Sequence, residues 1–185
     1  ILKVWAGTTF THNSGTVRLN WYDGGGCCEN GSVLLELPSN FTFYNFTNQG
    51  VSGYWKGGGV KINSGSVIVQ NNFKWLGGRM YDNWTLQGDA YMNSPPGYTG
   101  AWGDPSGNGP ATFTFSGAAN QTLYSTGSMS LGNITVNKSS GTLTLDDNFT
   151  INDAAQNMTV TAGTVQMAGY NLSVGANLTI ASGAT

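Results

Sequence analysis

The sequence predicts an all-β protein folded as a right-handed β-solenoid with turns of about 20–24 residues. Short apolar runs alternate with Ser and Thr and are separated by Gly, Asn or Asp, which is the period-two pattern of β-strands. The runs recur at a nearly constant interval, which is typical of a repeat architecture. No stretch combines the three-to-four apolar spacing of a helix with capping residues.

The alternating runs are clearest in the C-terminal half of the chain. They are TFTF (112–115), ITV (134–136), TLTL (142–145), FTI (149–151), MTV (158–160), TVQM (164–167), LSV (172–174) and LTI (178–180). Gly141, Gly163 and Gly183 each open a similar segment, and the two intervals between them are nearly equal. We expect inward residues to stack into apolar columns and Gly and Asn to occupy the corners.

Similar segments occur upstream, although their spacing is less even. SGTVRL (14–19), NGSVLLEL (30–37) and SGSVIVQNNF (64–73) match SGTLTLDDNF (140–149). We therefore predict one domain over residues 1–185. It would contain irregular turns in 1–72, an insertion rich in aromatic residues, Gly and Pro in 73–109, and regular turns in 110–185. The alternative is an N-terminal β-sandwich followed by a short β-solenoid from about residue 110.

The stretch GPATFTFSGAANQTLYSTGSMSLGNITVNKSSGTLTLDDNFTIND begins at Gly109. Together with the runs that follow it to residue 185, it resembles repeat segments of extracellular β-solenoid surface proteins of bacteria and archaea. These are adhesins and autotransporter-passenger-like proteins. The resemblance implies an extracellular, structural or adhesive protein, and its motifs indicate a solenoid without indicating an activity.

The composition narrows the functional class. Only 9% of residues are charged and the formal net charge is -2, so the chain lacks the basic footprint of a nucleic-acid-binding protein. No apolar run has the length of a membrane-spanning helix, and no signal peptide is present. Because the chain begins at Ile1, we expect a processed product or a segment of a longer protein.

Asn-x-Ser/Thr sequons are frequent. They begin at Asn30, Asn40, Asn45, Asn83, Asn120, Asn133, Asn137, Asn148, Asn157, Asn171 and Asn177, eleven of the twenty asparagines. Sequons accept N-glycans in secreted proteins, and attached sugar would keep so uncharged a surface soluble. The preferred candidates are Asn30, Asn40, Asn45, Asn83, Asn120 and Asn137. The alternative is structural, because a corner Asn before an apolar-Thr-apolar strand creates a sequon by itself, and stacked Asn side chains form amide ladders.

The only two cysteines, Cys27 and Cys28, are adjacent and follow three glycines. Adjacent Cα atoms lie about 3.8 Å apart, below the roughly 4.4–6.8 Å of most disulfides, so a ring between them would be strained. Three states stay open: disulfides to neighbouring subunits, a vicinal disulfide, and free or metal-bound thiols. The first fits a covalent polymer. A metal site has the least support, because His12 is the only histidine.

The segment 73–109 concentrates large aromatic residues. Exposed aromatic patches mark interfaces, so contact with another subunit or a sugar is one interpretation, and packing of the segment against the solenoid is the other. The contact candidates are Trp75, Trp84, Tyr91, Tyr98 and Trp102.

Catalysis has little support in the sequence, and we predict neither an enzyme nor a cofactor. The only adjacent carboxylates are Asp146 and Asp147, and neighbours in a strand point apart. A single histidine assembles no convincing serine triad. Calcium at Asp104–Gly109 or at Asp146 and Asp147 is weakly supported, because neither stretch has a specific ligand spacing.

Both ends of the chain resemble open solenoid ends. ILKVWAG is strand-like and ASGAT stops within a turn, and neither shows a polar cap. Unpaired strand edges pair with other chains, and a head-to-tail contact that does not close gives a filament. We therefore expect a non-enzymatic structural subunit of an extracellular filament, sheath or surface layer, a homopolymer without nucleic acid or a membrane span. The alternatives are a segment of an adhesin or viral fibre that binds glycans or a host surface, and a carbohydrate-active enzyme on a β-helix.

Overall fold

The computed structural model describes residues 1–5, 9–20, 33–49, 59–77, 79–92, 111–125, 128–129, 132–151 and 156–185. Every regular element within these ranges is a β-strand, which confirms the predicted all-β class. The strands are β1 (Leu2–Lys3), β2 (Thr16–Leu19), β3 (Val33–Glu36), β4 (Phe41–Gln49), β5 (Gly59–Ser64), β6 (Val67–Gly77), β7 (Arg79–Met80), β8 (Asn83–Leu86), β9 (Ala90–Met92), β10 (Thr112–Gly117), β11 (Gln121–Ser125), β12 (Ser128–Met129), β13 (Asn133–Leu145), β14 (Phe149–Ile151), β15 (Met158–Gln166), β16 (Leu172–Val174) and β17 (Leu178–Ile180).

All pairings between these strands are parallel, and they form four runs that we call columns. Column A contains β1, β3, β5 and β7, and column A′ contains β12, β14 and β16. Column B contains β4, β6, β8, β10, β13, β15 and β17. Column C contains β2, β4, β6, β9, β11, β13 and β15.

Four long strands take part in columns B and C at once. In β6, Val67–Val69 pairs with β8 and Phe73–Trp75 pairs with β9. In β13, the first half pairs with β10 and the second half with β11. The pairings of β6, β8, β10, β13, β11 and β9 therefore close into a ring of six parallel strands.

The spacing predicted for the C-terminal half is confirmed by the strand register. Along column B, Thr112 pairs with Asn133, and Ile134 of the same strand pairs with Met158. Met158 pairs in turn with Leu178. Each of these three steps has the length that the sequence predicts for one turn.

The N-terminal half uses the same columns with uneven steps. The step from Leu2 to its partner Leu35 is nearly twice as long as the step from Val67 to its partner Trp84. β1–β6 pair in parallel throughout. This is not the antiparallel arrangement of a β-sandwich, so the alternative with an N-terminal sandwich does not describe the fold.

The predicted insertion at 73–109 was wrong for its first half. Residues 73–77 complete β6, and residues 79–92 contain β7, β8 and β9, which pair within columns A, B and C. The aromatic residues suggested an insertion because they interrupt the repeat, but Phe73, Trp75 and Trp84 lie at inward positions of the strands and are buried in the core. The rest of the predicted insertion, from residue 93 to the end, lies outside the described residues.

The core is apolar and rich in aromatic side chains. Phe46, Phe73, Trp84 and Phe113 are fully buried. The ring of Phe46 lies 4.9 Å from that of Trp84, and the ring of Phe73 lies 5.6 Å from that of Phe113, measured between centroids. Such pairs add about 0.5–1.5 kcal/mol each beyond the burial of their apolar area. The indole N–H of Trp84 donates to the Tyr81 carbonyl at 2.8 Å, so its polar group is satisfied inside the core.

The corner glycines have the backbone conformation that the sequence predicted. Gly141, Gly163 and Gly183 have φ of 72°, 92° and 84°. At Gly141 a Cβ atom would lie 2.6 Å from the Ala118 carbonyl oxygen, so close approach also excludes a side chain. Gly65 has φ of 84° but precedes the column B part of β6, whereas Gly141 precedes the column C part of β13. The matching SGxV and SGxL segments therefore serve different corners.

Candidate functional site

One face of the molecule is formed by outward side chains of column B that alternate with buried residues. We call it the Asn/Thr face and define it by two rows. The Thr row is Thr42, Ile68, Thr85, Thr114, Thr135, Thr159 and Thr179, and the Asn row is Asn40, Ser66, Asn83, Thr112, Asn133, Asn157 and Asn177.

The Thr row is in continuous register across seven strands. Each member pairs with the next through the parallel ladders of column B. Six of the seven positions are threonine, and Ile68 is the exception. Because neighbouring strands lie about 4.8 Å apart, the hydroxyl groups repeat at that distance along the face.

The Asn row is held together by side-chain hydrogen bonds between strands. Asn133 Oδ1 accepts the backbone N–H of Asn157 at 2.9 Å. Asn157 Oδ1 in turn accepts the backbone N–H of Asn177 at 3.2 Å and its side-chain Nδ2 at 3.1 Å. In column A′, Asn148 Oδ1 accepts the backbone N–H of Asn171 at 2.8 Å. The ladder of stacked asparagines that the sequence suggested is confirmed at these positions.

The alternation of β-strands explains why sequons are so frequent. The first and third residues of Asn-x-Thr point to the same side of a strand. Five sequons contribute both residues to the Asn/Thr face, and they begin at Asn40, Asn83, Asn133, Asn157 and Asn177. The structural interpretation of the sequons thus has a physical basis, because this face is built from them.

The other described sequons differ in their surroundings. Asn120 and Asn137 are exposed, and Asn120 Oδ1 accepts the backbone N–H of Thr142 at 3.0 Å. Asn45 is half-buried, and its side chain is engaged on both sides. Its Oδ1 accepts from Asn71 Nδ2 at 2.9 Å, and its Nδ2 donates to Thr16 Oγ1 at 3.2 Å. Asn30 lies outside the described residues.

No charged residue occurs among the fourteen positions of the Asn/Thr face. Apart from the buried Lys138, the charged residues of the described strands lie in columns A and C. They include Lys3, Glu36 and Lys61 in column A and Arg18 and Lys74 in column C. The charged residues of the described strands are therefore distributed unevenly, and the Asn/Thr face contains none of them.

Lys138 is a buried cation that the sequence analysis did not single out. It is 1% exposed, and its Nζ donates to the Ala119 carbonyl at 2.7 Å and to Gln121 Oε1 at 2.6 Å. Gln121 Nε2 donates onward to the carbonyls of Leu86 and Gly88 at 3.0 and 2.7 Å. Burial lowers the pKa of Lys138. The alternation of inward and outward residues along a strand could have identified Lys138 from the sequence. Ile134 and Val136 are apolar, so residue 138 is expected to point inward as well.

The aromatic contact candidates separate into three groups. Trp75 and Trp84 are 3% and 0% exposed, so they are core residues and the prediction that they form a contact surface was wrong. Tyr91 is half-exposed and stacks on Tyr124, with 4.2 Å between ring centroids. Burial is the main cause, and the neighbouring Tyr124 the second, of a raised pKa at Tyr91. Tyr98 and Trp102 lie outside the described residues.

Four of the described carboxylates have structural partners. Glu36 forms an ion pair with Lys3 at 2.6 Å. Asp82 Oδ2 accepts the N–H of Ile62 at 2.7 Å, and Asp89 Oδ1 accepts that of Thr122 at 2.8 Å, so both join neighbouring strands. Asp147 accepts the N–H of Asn148 at 2.6 Å. Within the described ranges no group of three His, Cys, Asp or Glu residues is arranged to hold a metal ion.

Two predicted sites cannot be placed on this structure. Cys27 and Cys28 lie outside the described residues, as does the Asp104–Gly109 segment considered for calcium. In the part of the chain that is described, no helix is long and apolar enough to cross a membrane.

Both ends of the strand columns expose apolar side chains. At one end, Leu178 and Ile180 of β17 are 49% and 53% exposed. At the other end, Ile1, Trp5 and Phe10 are 83%, 68% and 42% exposed. Among the described strands, β17 pairs only with β15, and β16 pairs only with β14, so each has one edge without a partner strand.

A family model described as "Domain of unknown function (DUF4402)" matches residues 92–185. Comparisons with curated proteins and with solved structures found no match.

Proposed function

Because the chain belongs to the DUF4402 family, whose description assigns no function, we propose its role from the geometry of its strand columns. We propose that it is a structural subunit of an extracellular, glycosylated filament, sheath or surface layer. Copies of the subunit join end to end by strand pairing, and the protein has no catalytic role.

The finer fold underlying this proposal is a right-handed β-solenoid with three strands per turn. Its support is the order in which the columns recur along the chain. β3 lies in column A, β4 continues through B and C, and β5 returns to A before β6 again continues through B and C. Parallel strands in one sheet are joined by right-handed crossovers in about 98% of cases, which favours this hand. The ring of six strands then arises because β6 and β13 bend around a corner and pair on two faces.

The observation that carries the functional proposal is the pair of exposed apolar ends. Leu178 and Ile180 occupy inward positions of β17 but are half-exposed, because no further strand covers them among the described residues. The opposite end presents β1 and β2, which pair only toward β3 and β4 within the described ranges. An exposed strand edge with apolar side chains is a template for another strand. A second copy of the chain fits this end, because its strand columns have the same arrangement and order.

Electron microscopy of the purified chain tests this proposal. We expect filaments for the unmodified sequence and dispersed particles for Ile180→Lys, which places a charge on the end surface. Thr179→Lys is the matched control, because it adds the same charge one residue away on the outward Thr row and is expected to leave filaments intact. Monomers at every concentration, or filaments from both variants, would contradict end-to-end pairing.

The adhesin alternative has lost much of its aromatic support. Trp75 and Trp84 are in the core, and the faces of Tyr91 and Tyr124 are stacked on each other. The absence of a catalytic role remains part of the proposal, and it is supported by the structural engagement of Glu36, Asp82 and Asp89.

A further inference from the structure

We propose that N-glycans are carried by Asn40, Asn83, Asn120 and Asn137, and that no molecule carries glycans on two sequons that are register partners on neighbouring strands. The inference rests on the extracellular, glycosylated assembly proposed above. It divides the described sequons into those whose register partners on the adjacent strands are not sequons and those that are stacked directly on another sequon.

The stacked sequons leave too little room for neighbouring sugars. Asn133, Asn157 and Asn177 lie on successive strands and are joined by side-chain hydrogen bonds. Asn148 and Asn171 form a second stack. Strands in a sheet are about 4.8 Å apart, which is less than the breadth of an N-acetylated sugar ring. Two such rings lying edge to edge on neighbouring rungs would overlap, and the bulk of two complete glycans opposes face-to-face stacking.

The hydrogen bonds of the stacks also oppose modification. The glycan is attached to Nδ2 of asparagine, and in Asn177 this atom donates to Asn157 Oδ1 at 3.1 Å. Asn133 and Asn157 are moreover half-buried. Asn45 is excluded for a similar reason, because it is half-buried and its Nδ2 donates to Thr16.

The solitary sequons have space on both sides. Asn83 lies between Ser66 and Thr112, and Asn137 pairs with Ser116 and Ala162. Asn40 is bonded to Ser66, whose hydroxyl donates to its Oδ1 at 3.1 Å. Asn120 keeps its Oδ1 bonded to the backbone N–H of Thr142, a contact that leaves Nδ2 as the attachment atom. All four side chains are exposed, and among the described residues no sequon occupies the register position beside any of them on an adjacent strand.

The charge distribution is a second, independent observation. Asn40 and Asn83 belong to the Asn/Thr face, and Asn137 lies on the same column B strand as its members Asn133 and Thr135. The rows of this face contain no charged residue, while the strands of columns A and C carry both signs. Low charge favours association and precipitation. Sugars on three sequons of this side would supply the hydration that its side chains do not.

Glycopeptide mass spectrometry of chain secreted from an N-glycosylating host tests the inference. After denaturation, trypsin cleavage at Arg79 and Lys138 gives peptides 80–138 and 139–185, because no other Lys or Arg lies within either segment. Peptide 80–138 contains Asn83, Asn120 and Asn137 together with Asn133, and we expect three glycans on the first three. Peptide 139–185 contains only the stacked Asn148, Asn157, Asn171 and Asn177, so we expect at most two glycans on any molecule.

A variant brings a solitary sequon into a stack. Thr112→Asn creates a sequon with Phe113 and Thr114 on the strand next to Asn83. We expect glycans at the new site and at Asn83 to exclude each other on a single peptide 80–138. Thr112→Gln is the control, because it changes the side chain without creating a sequon and is expected to leave the occupancy of Asn83 unchanged.

Each result decides the inference. Three or four glycans on peptide 139–185, or both sites occupied together in Thr112→Asn, would overturn it. A secreted chain without glycan at Asn40, Asn83, Asn120 and Asn137 would overturn it as well. None of these outcomes bears on end-to-end assembly, because electron microscopy can test that assembly on chain made without glycosylation.

Discussion

Replacing Gly141 and Gly183 by alanine separates two contributions to stability. One is the conformational cost of a positive φ, and the other is the steric cost of an added Cβ atom. Gly141 and Gly183 both have positive φ, at 72° and 84°, so alanine at either position adopts a left-handed conformation. This conformation costs about 1–2 kcal/mol for a residue with a Cβ atom. The surroundings differ, because a Cβ at Gly141 would lie 2.6 Å from the Ala118 carbonyl oxygen, whereas one at Gly183 has nothing within 4 Å.

We therefore expect Gly183→Ala to cost only the conformational term of about 1–2 kcal/mol. Gly141→Ala should cost a further ~1–3 kcal/mol, the usual range for forcing extra atoms into a packed site. The measurement is urea unfolding of both variants, followed by circular dichroism, with the slope of the transition compared to confirm that the unfolded states are alike. Equal losses of stability for the two variants would refute the reasoning, because the close backbone approach at Gly141 would then contribute nothing.

Three further predictions concern the core, the buried cation and the cysteines. Trp84→Ala should lower the free energy of unfolding by about 3–5 kcal/mol, and Trp84→Phe by clearly less, as measured by urea denaturation; a neutral Trp84→Ala would contradict its place in the core. Because burial lowers the pKa of Lys138 from its ordinary 10.5, the unfolded chain binds more protons between the two pKa values, so the contribution of Lys138 to stability rises with pH across that window. In alkaline unfolding experiments, Lys138→Met should lose this rise of stability with pH. The raised pKa of Tyr91 has the opposite effect on stability, but it is common to the variant and the original protein. Identical pH profiles of the two proteins would count against a buried, desolvated amine. If Cys27 and Cys28 join neighbouring subunits, non-reducing electrophoresis of the assembled protein should show a ladder of multimers that collapses on reduction and in Cys27→Ser, whereas monomer alone would favour the vicinal or free states.

The sequence was sufficient for the class of secondary structure and for the rhythm of the C-terminal half. Alternation of apolar residues with Thr and Ser has only one regular explanation, and the positions of Gly141 and Gly163 reflect a conformation that few other residues adopt. Stacking of corner asparagines also followed from the repeat itself, since Asn133, Asn157 and Asn177 recur at the length of one register step.

The N-terminal half was harder to predict because its repeat length varies while its pairing does not. The step from Ala90 to Leu123 is nearly twice as long as the step from Val67 to Trp84, so no fixed period shows that the same columns continue. Trp75 and Trp84 appeared to belong to an insertion because large aromatic residues fit an exposed platform and a core equally well in sequence. The sequence analysis did not identify Lys138 as buried. Burying a charge is costly without a partner, and the partner Gln121 is not apparent from the sequence.

The register steps also determine the order in which the molecule can form. The described strand pairings range in sequence separation from that of Val67 with Trp84 to that of Leu2 with Leu35. No described pairing connects the first strand with the last. A chain synthesised from its N-terminus can therefore add one strand at a time to an existing template, and each addition closes a loop of modest length. Folding of this kind needs no completed C-terminus, so the growing end of the chain remains the site of the next addition.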